Sequence, residues 1–183
     1  PDGSSVKLSY TPAAYVWPST MPDEIQAELR SELQRLMTLL KLKTSVYNIE
    51  TRQGTDGKAY IMEVSPRGGG NRLSEVLEMA TGTKLISNAV RAAVGMEVDE
   101  MADPVYKGHW AEIILHSDSD GKFKALWIAP ELESSVAQID LWVKPGDAVE
   151  RFSGANKAIG TLVMNFADRA TTERCMAEHD WYK

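Results

Sequence analysis

The stretch Val46–Arg72, VYNIETRQGTDGKAYIMEVSPRGGGNR, limits what this chain can fold into more than any other. Two runs rich in β-branched and aromatic residues, Ser45–Arg52 and Lys58–Ser65, flank the turn-forming Gly54-Thr55-Asp56-Gly57. That is the pattern of an antiparallel hairpin. With Thr55–Lys58 as a four-residue loop, Glu50 faces Glu63 and Asn48 faces Ser65. Side chains alternate across a strand, so these residues share one face. Opposed Cβ atoms lie about 4.5–5.5 Å apart, and like charges there repel. Two carboxylates so placed either hold a cation between them or lie on an outer face where water screens them. A loop different by one residue would send them to opposite faces.

The residues after the second run favour the cation. Pro66 ends the ladder, Arg67 supplies a planar guanidinium, and Gly68-Gly69-Gly70 lets backbone approach a ligand closely. Carboxylates, a guanidinium and bare backbone at one place suit a metal-bound polyphosphate.

The sequence NIE, a hairpin, then MEVSPRGGG resembles the last part of the ATP-grasp ligase superfamily. The likeness covers roughly residues 20–100, and the helix ending MATG is similar to carbamoyl-phosphate synthetase large chains, biotin carboxylases and L-amino acid ligases. The resemblance implies Glu50, Glu63 and Ser65 as magnesium ligands, with Ser65 standing where most members carry Asn. EVSPR is also the wording of the formate-dependent purine branch. Arg67 matches the arginine that contacts the transferring phosphate or a substrate carboxylate. Glu50, Glu63, Arg67, Asn71 and Arg72 are the expected nucleotide contacts, with Arg67 as the catalytic residue. The implied cofactors are ATP and Mg2+. The implied chemistry is activation of a carboxylate through an acyl phosphate, then attack by an amine or other nucleophile. The rival expectation is a non-catalytic interaction module whose glutamates are only surface residues.

Bulk properties narrow the partners. At 183 residues and 43% hydrophobic, the chain can build one good core or two small ones. A net charge of −6 with dispersed basic residues argues against nucleic acid. The lone Cys175 excludes an internal disulfide and fits a reducing compartment. No apolar run nears the ~18–20 residues of a membrane span, so the expectation is a cytoplasmic protein. An enzyme of this kind needs more than twice this length. The sequence is therefore read as a C-terminal piece, inactive alone, whose partners are the N-terminal lobes of the same enzyme, with room for a homodimer.

The expected fold is α+β: a C-terminal ATP-grasp lobe over residues 1–100, then a small β-rich sandwich or barrel over 101–183. Residues 1–19 read as a strand or extended entry segment with Tyr10, Tyr15 and Trp17. Thr20 can cap a helix running to about Leu42, with Ile25, Leu29, Leu33, Leu36, Met37 and Leu40 at helical spacing. After the glycines, Leu73, Val76, Leu77 and Ala80 form one apolar face closed by Gly82. Leu85, Ile86, Ala89, Val90 and Ala93 form a second, closed by Gly95. Asn71 and Arg72, at a helix N-terminus, either hold an anion or cap. An acidic, proline-containing stretch places a boundary near 100–107. Beyond it, Trp110–Leu115 and Phe123–Ile128 flank SDSDG as a hairpin, followed by strands at Ala137–Val143, Ala148–Phe152 and Ala158–Phe166. Asp168 can cap a last helix from about Ala170 to His179.

Other motifs fail on chemistry. With Gly121 at position six of a calcium loop, His116 and Trp127 occupy positions that require Asp and Glu. The glycine run lacks a third glycine at Leu73 and a following βαβ unit, so it is no dinucleotide fingerprint. Lys144-Pro145-Gly146-Asp147 is similar to the hairpins of biotinyl and lipoyl carriers, without their exposed lysine. His109, His116 and His179 are too dispersed for a metal cluster.

Overall fold

A computed structural model describes residues 12–183. Tyr10 and the start of the expected entry segment lie outside the described residues. The chain runs through β1 (Ala14–Trp17), α1 (Asp23–Leu39), β2 (Asn48–Gln53), β3 (Ala59–Ser65), α2 (Leu73–Thr81), α3 (Leu85–Ala93) and β4 (His109–Leu115). It continues with β5 (Gly121–Lys122), β6 (Val136–Leu141), β7 (Ala148–Val149), β8 (Gly160–Phe166) and α4 (Arg169–Ala177). Two compact units result: Ser19–Val105, and Tyr106–Lys183 together with residues 12–18.

In Ser19–Val105, α1 starts at Asp23 with Pro22 in the cap position, not at Thr20, and ends at Leu39 rather than Leu42. Pro22 stays extended at ψ 143° while its carbonyl accepts the first helical bond, from the Gln26 N–H at 3.0 Å, and Asp23 and Glu24 suit the positive end of the helix. Packing of α1 on β3 covers one face of the β2–β3 hairpin. Gly82 closes α2 in the left-handed conformation at φ 82°, donating to the Glu78 carbonyl at 2.7 Å. The apolar face expected on α3 is present in sequence but open to solvent, with Ile86 49% and Val90 59% exposed. The residue α3 buries is the polar Asn88. Its carboxamide accepts from the Asp99 N–H at 3.1 Å and donates toward the Asp99 carbonyl at 3.5 Å, which ties the acidic stretch back onto the helix.

The other unit is built on an open antiparallel sheet of order β1-β4-β8-β6. Its two central strands are buried along nearly their whole length, which is why HWAEIIL and GTLVMNF read as nearly continuous apolar runs. Ala111, Ile113, Leu115, Leu162, Met164 and Phe166 meet Leu132, Cys175 and Trp181 in the core. Asp168 caps α4, its carboxylate accepting from the Thr171 N–H at 2.7 Å.

Three expectations need correction. No sheet among the described residues closes, so this unit is not a barrel. Phe123–Ile128 is not a strand paired with β4, because both edges of β4 are already taken by β1 and β8. Only β5 forms, and it pairs with β7. Residues 12–18 join this unit rather than the preceding lobe, since β1 completes the ladder of β4 from Ala14↔Ile113 to Trp17↔Trp110. The strand reading of this segment holds for Ala14–Trp17, but local pattern does not reveal a partner so far along the chain.

Candidate functional site

The site begins at the turn of the β2–β3 hairpin. The Gly54 N–H donates to the Lys58 carbonyl at 2.8 Å, so only Thr55, Asp56 and Gly57 lie beyond the ladder. Gly57 takes φ 80°, which glycine adopts without steric cost. The Asp56 carboxylate accepts from the Lys58 N–H at 3.1 Å and from the Tyr60 hydroxyl at 2.9 Å. Those two bonds, the backbone one foremost, hold the Asp56 carboxyl below its ordinary range, and the same contact raises the Tyr60 phenol. A Cβ on Gly54 would come within 2.8 Å of the Tyr60 ring, so the ring lies directly on the turn.

This loop is one residue shorter than expected, which by itself would place Glu50 opposite Met62 and turn Glu63 to the other face. A bulge restores the register. Thr51 pairs with Ile61 and Glu50 with Glu63, so Met62 is left over. The exposure pattern records it, since alternation holds from Ala59 to Met62 and then breaks at Glu63, which is exposed like Met62. Beyond the bulge the pairs are Glu50↔Glu63, Ile49↔Val64 and Asn48↔Ser65. The expected facing pairs are thus the observed ones, reached through a shorter loop and an extra residue. Two adjacent apolar residues, Ile61-Met62, were the available sequence signal for that bulge.

Glu50 and Glu63 are both exposed, while Asn48 and Ser65 are half-buried. The Ser65 hydroxyl donates to Glu63 Oε1 at 2.5 Å, so it orients one member of the pair. The Arg67 N–H donates to the Ser65 carbonyl at 2.9 Å, and its guanidinium to the Gly68 carbonyl at 2.9 Å. No carboxylate among the described residues forms an ion pair with Arg67. Its fork therefore faces solvent with donors to spare.

The glycine run has two different uses. Gly69 packs within the protein: a Cβ there would meet Leu73 Cδ1 at 2.5 Å and Asn48 Oδ1 at 3.0 Å. Gly70 has open space, and Asn71 comes next at φ 53°, a conformation Asn tolerates better than most residues. Arg72 stands at the α2 N-cap without a side-chain cap bond. Instead Arg72 Nε donates to Glu75 at 2.9 Å and the two form an ion pair. A cleft of about 250 Å³ lies behind this loop, lined by Gly68, Gly69, Asn71 and Arg72 and by Leu85 and Val90 of α3. Glu50 and Glu63 do not line it; they stand on the open face of the hairpin.

The donor set is two carboxylates and a hydroxyl on one face. These are hard oxygen ligands, the kind magnesium takes while keeping water or phosphate oxygens in its other positions. Among the described residues no group of three His, Cys, Asp or Glu side chains could hold a metal by itself.

No family model matches the sequence. Solved structures do match its fold. The L-amino acid ligase from Bacillus licheniformis superposes with TM-score 0.79 at 16% identity, over 95% of this chain and 44% of that one. Phosphoribosylglycinamide synthetase from Anaerococcus prevotii gives 0.72 at 16% identity, over 94% and 45%. The biotin carboxylase domain of 2-oxoglutarate carboxylase from Hydrogenobacter thermophilus, solved with MgADP and bicarbonate, gives 0.64 at 15% identity, over 93% and 38%. The chain thus spans less than half the length of these enzymes, and what it shares with them is the fold of the ATP-grasp ligases over that part.

Proposed function

We propose that this chain supplies the magnesium- and phosphate-holding part of an ATP-dependent carboxylate–amine ligase. The observation that carries the reading is the Glu50–Glu63 pair, facing across a bulged hairpin with Arg67 and the glycine loop at the end of the same strand. Glu50 and Glu63 are the metal-holding carboxylates. Ser65 lies on the same face and fixes Glu63. Magnesium, when bound with ATP, would neutralise charge between phosphate oxygens. Arg67 offers its remaining guanidinium donors to the phosphate being transferred, where a fixed guanidinium stabilises developing charge. Asn71 and Arg72 approach the nucleotide from the α2 N-terminus, which favours anions. A substrate carboxylate takes the γ-phosphoryl group of ATP to give an acyl phosphate and ADP, and an amine then attacks the acyl carbon and releases inorganic phosphate. An amino-acid ligase or a carbamoyl-phosphate-synthetase-like enzyme is the favoured kind, and residues 106–183 serve as its small β-rich closing domain.

Two half-sites must enclose a nucleotide before transfer can proceed without loss to water. The 183-residue chain should therefore bind Mn-ATP weakly and ligate nothing. Binding is tested by titrating Mn-ATP, with Mn2+ replacing Mg2+, into the isotope-labelled chain. Amide signals at residues 48–50 and 63–68 should broaden first. Glu50→Gln and Glu63→Gln should each remove that broadening. Unchanged broadening in both variants, or broadening centred elsewhere, would favour the non-catalytic module.

A further inference from the structure

A second cavity is far from the hairpin in sequence. It lies wholly within the unit of 12–18 and Tyr106–Lys183 and has a volume of about 720 Å³. That is the size of a small-molecule site rather than a packing defect. Leu115, Leu126, Leu141 and Ile159 line it, and all four belong to the hydrophobic core or pack against it. The cavity is therefore an opening into the core at one end of the sheet.

Its polar lining has the opposite charge balance to the protein. The whole chain carries 26 acidic against 20 basic residues. Among the described residues, Lys122, Lys124 and Lys183 line the cavity against a single carboxylate side chain, Asp118. His116 adds a fixed imidazole: its Nδ1 lies 3.1 Å from the Ile114 carbonyl and its ring 4.5 Å from that of Phe152. Asp118 stands 4.0 Å from the other ring nitrogen.

The backbone beside the cavity is also unusual. Phe123 exchanges bonds with the Asp147 carbonyl and the Gly146 N–H, both at 2.9 Å. Trp127 exchanges bonds with Lys183, at 2.7 and 3.0 Å. Between these anchors, residues 124–126 make no backbone–backbone hydrogen bond among the described residues. A segment with strand-like composition is thus held at both ends and left unladdered beside an apolar cavity. Lys124 and Ala125 are exposed, so water reaches the backbone there.

We propose that this cavity is a second ligand site, which takes a small carboxylate with an apolar body. The aliphatic part would cover the core residues, and the carboxylate would meet Lys122 and Lys124 at the mouth. The site is independent of the hairpin chemistry and requires none of it.

The test uses octanoate, octanol and octylammonium, each titrated into the labelled 183-residue chain and followed by amide shifts. Octanoate should bind saturably, with shifts centred on 115–117, 123–127 and 159. It should bind about tenfold tighter than octanol, the scale of a charge-assisted contact, and tighter still than octylammonium. The exposed double variant Lys122→Glu/Lys124→Glu should weaken octanoate about tenfold and leave octanol unchanged. Equal affinity for octanoate and octanol, no saturable binding, or shifts centred away from the cavity would each overturn the proposal. The hairpin amides at 50 and 63 should not move, so this result stands or falls apart from the Mn-ATP titration.

Discussion

The two compact units treat apolar surface in opposite ways. In Tyr106–Lys183 the central strands β4 and β8 are buried on both faces, down to Leu162, Val163 and Met164 at 0% exposure. In Ser19–Val105 the fully buried side chains are few, Val76 and Ala80 among them, while Val94, Met62 and Leu40 are more than half exposed. Sheet burial of the first kind stabilises a fold by itself. Exposed apolar groups of the second kind add little to stability. On the proposed function the sheet unit should carry stability and the other unit the chemistry, and mutations should separate them.

The largest effect expected on stability is in the sheet. Phe166→Ala removes a ring that is 2% exposed and packed edge-on against Trp181, and should cost about 3–5 kcal/mol in urea unfolding. Val90→Ala on α3 should stay within about 0.5 kcal/mol. Comparable losses at the two positions would break the contrast.

Function should show the reverse. In a polypeptide of the full length of the matched ligases, Glu63→Gln should lower turnover at least about 100-fold, the scale of losing a charge stabiliser in the transition state. Its unfolding midpoint should hold or rise, since one of two facing anions is gone. Arg67→Lys should also lose rate, because lysine keeps the charge without the planar fork. Rates within twofold for Glu50→Gln, Glu63→Gln and Arg67→Lys together would remove the hairpin from the chemistry.

A third measurement uses where the chromophores sit. All five tryptophans, Trp17, Trp110, Trp127, Trp142 and Trp181, lie in the sheet unit, whereas three of the four α-helices of the described residues lie in Ser19–Val105. Helical circular dichroism should therefore fall at lower urea than tryptophan emission shifts. Coincident transitions would mean that the units unfold as one.

The smallest effects are on pH. Burial raises the Cys175 thiol, so its folded form holds its proton more tightly than the unfolded chain. Stability from that source is complete below the ordinary thiol range, near ~8.5, and is lost as pH rises through the folded value. Ellman's reagent should accordingly react with Cys175 only on unfolding. Asp168 and Asp56 run the other way. The Thr171 N–H lowers the first, the Lys58 N–H and then the Tyr60 hydroxyl lower the second, and each stabilises its cap or turn above the ordinary Asp value. Both contributions should fade as pH falls through the lowered values, seen as loss of α4 and hairpin amide protection. Asp168→Asn, which keeps a capping oxygen, should remove most of that acid dependence at α4 while preserving the helix.

How far the sequence alone reached depended on the range of the forces involved. The hairpin, α2 with its Gly82 stop, and the Asp168 cap were all legible, because each is decided within a few residues by turn chemistry, periodicity or a local hydrogen bond. The facing of Glu50 and Glu63 was legible too, though the route was not. A loop one residue shorter and a bulge at Met62 cancel, and a count of residues sees only their sum. Fates that depend on a distant partner were not legible. Phe123–Ile128 has the composition of a strand, yet β4 had no edge left to offer it. The apolar face of α3 has the periodicity of a buried helix, yet the described residues leave it open. Sequence by itself determined which residues carry charge, where the chain turns and which helices form, since these are local free energies. Tertiary structure decided which apolar faces are covered, which strand wins an edge, and that a cavity opens at the end of the sheet, because those depend on competition among segments far apart in the chain.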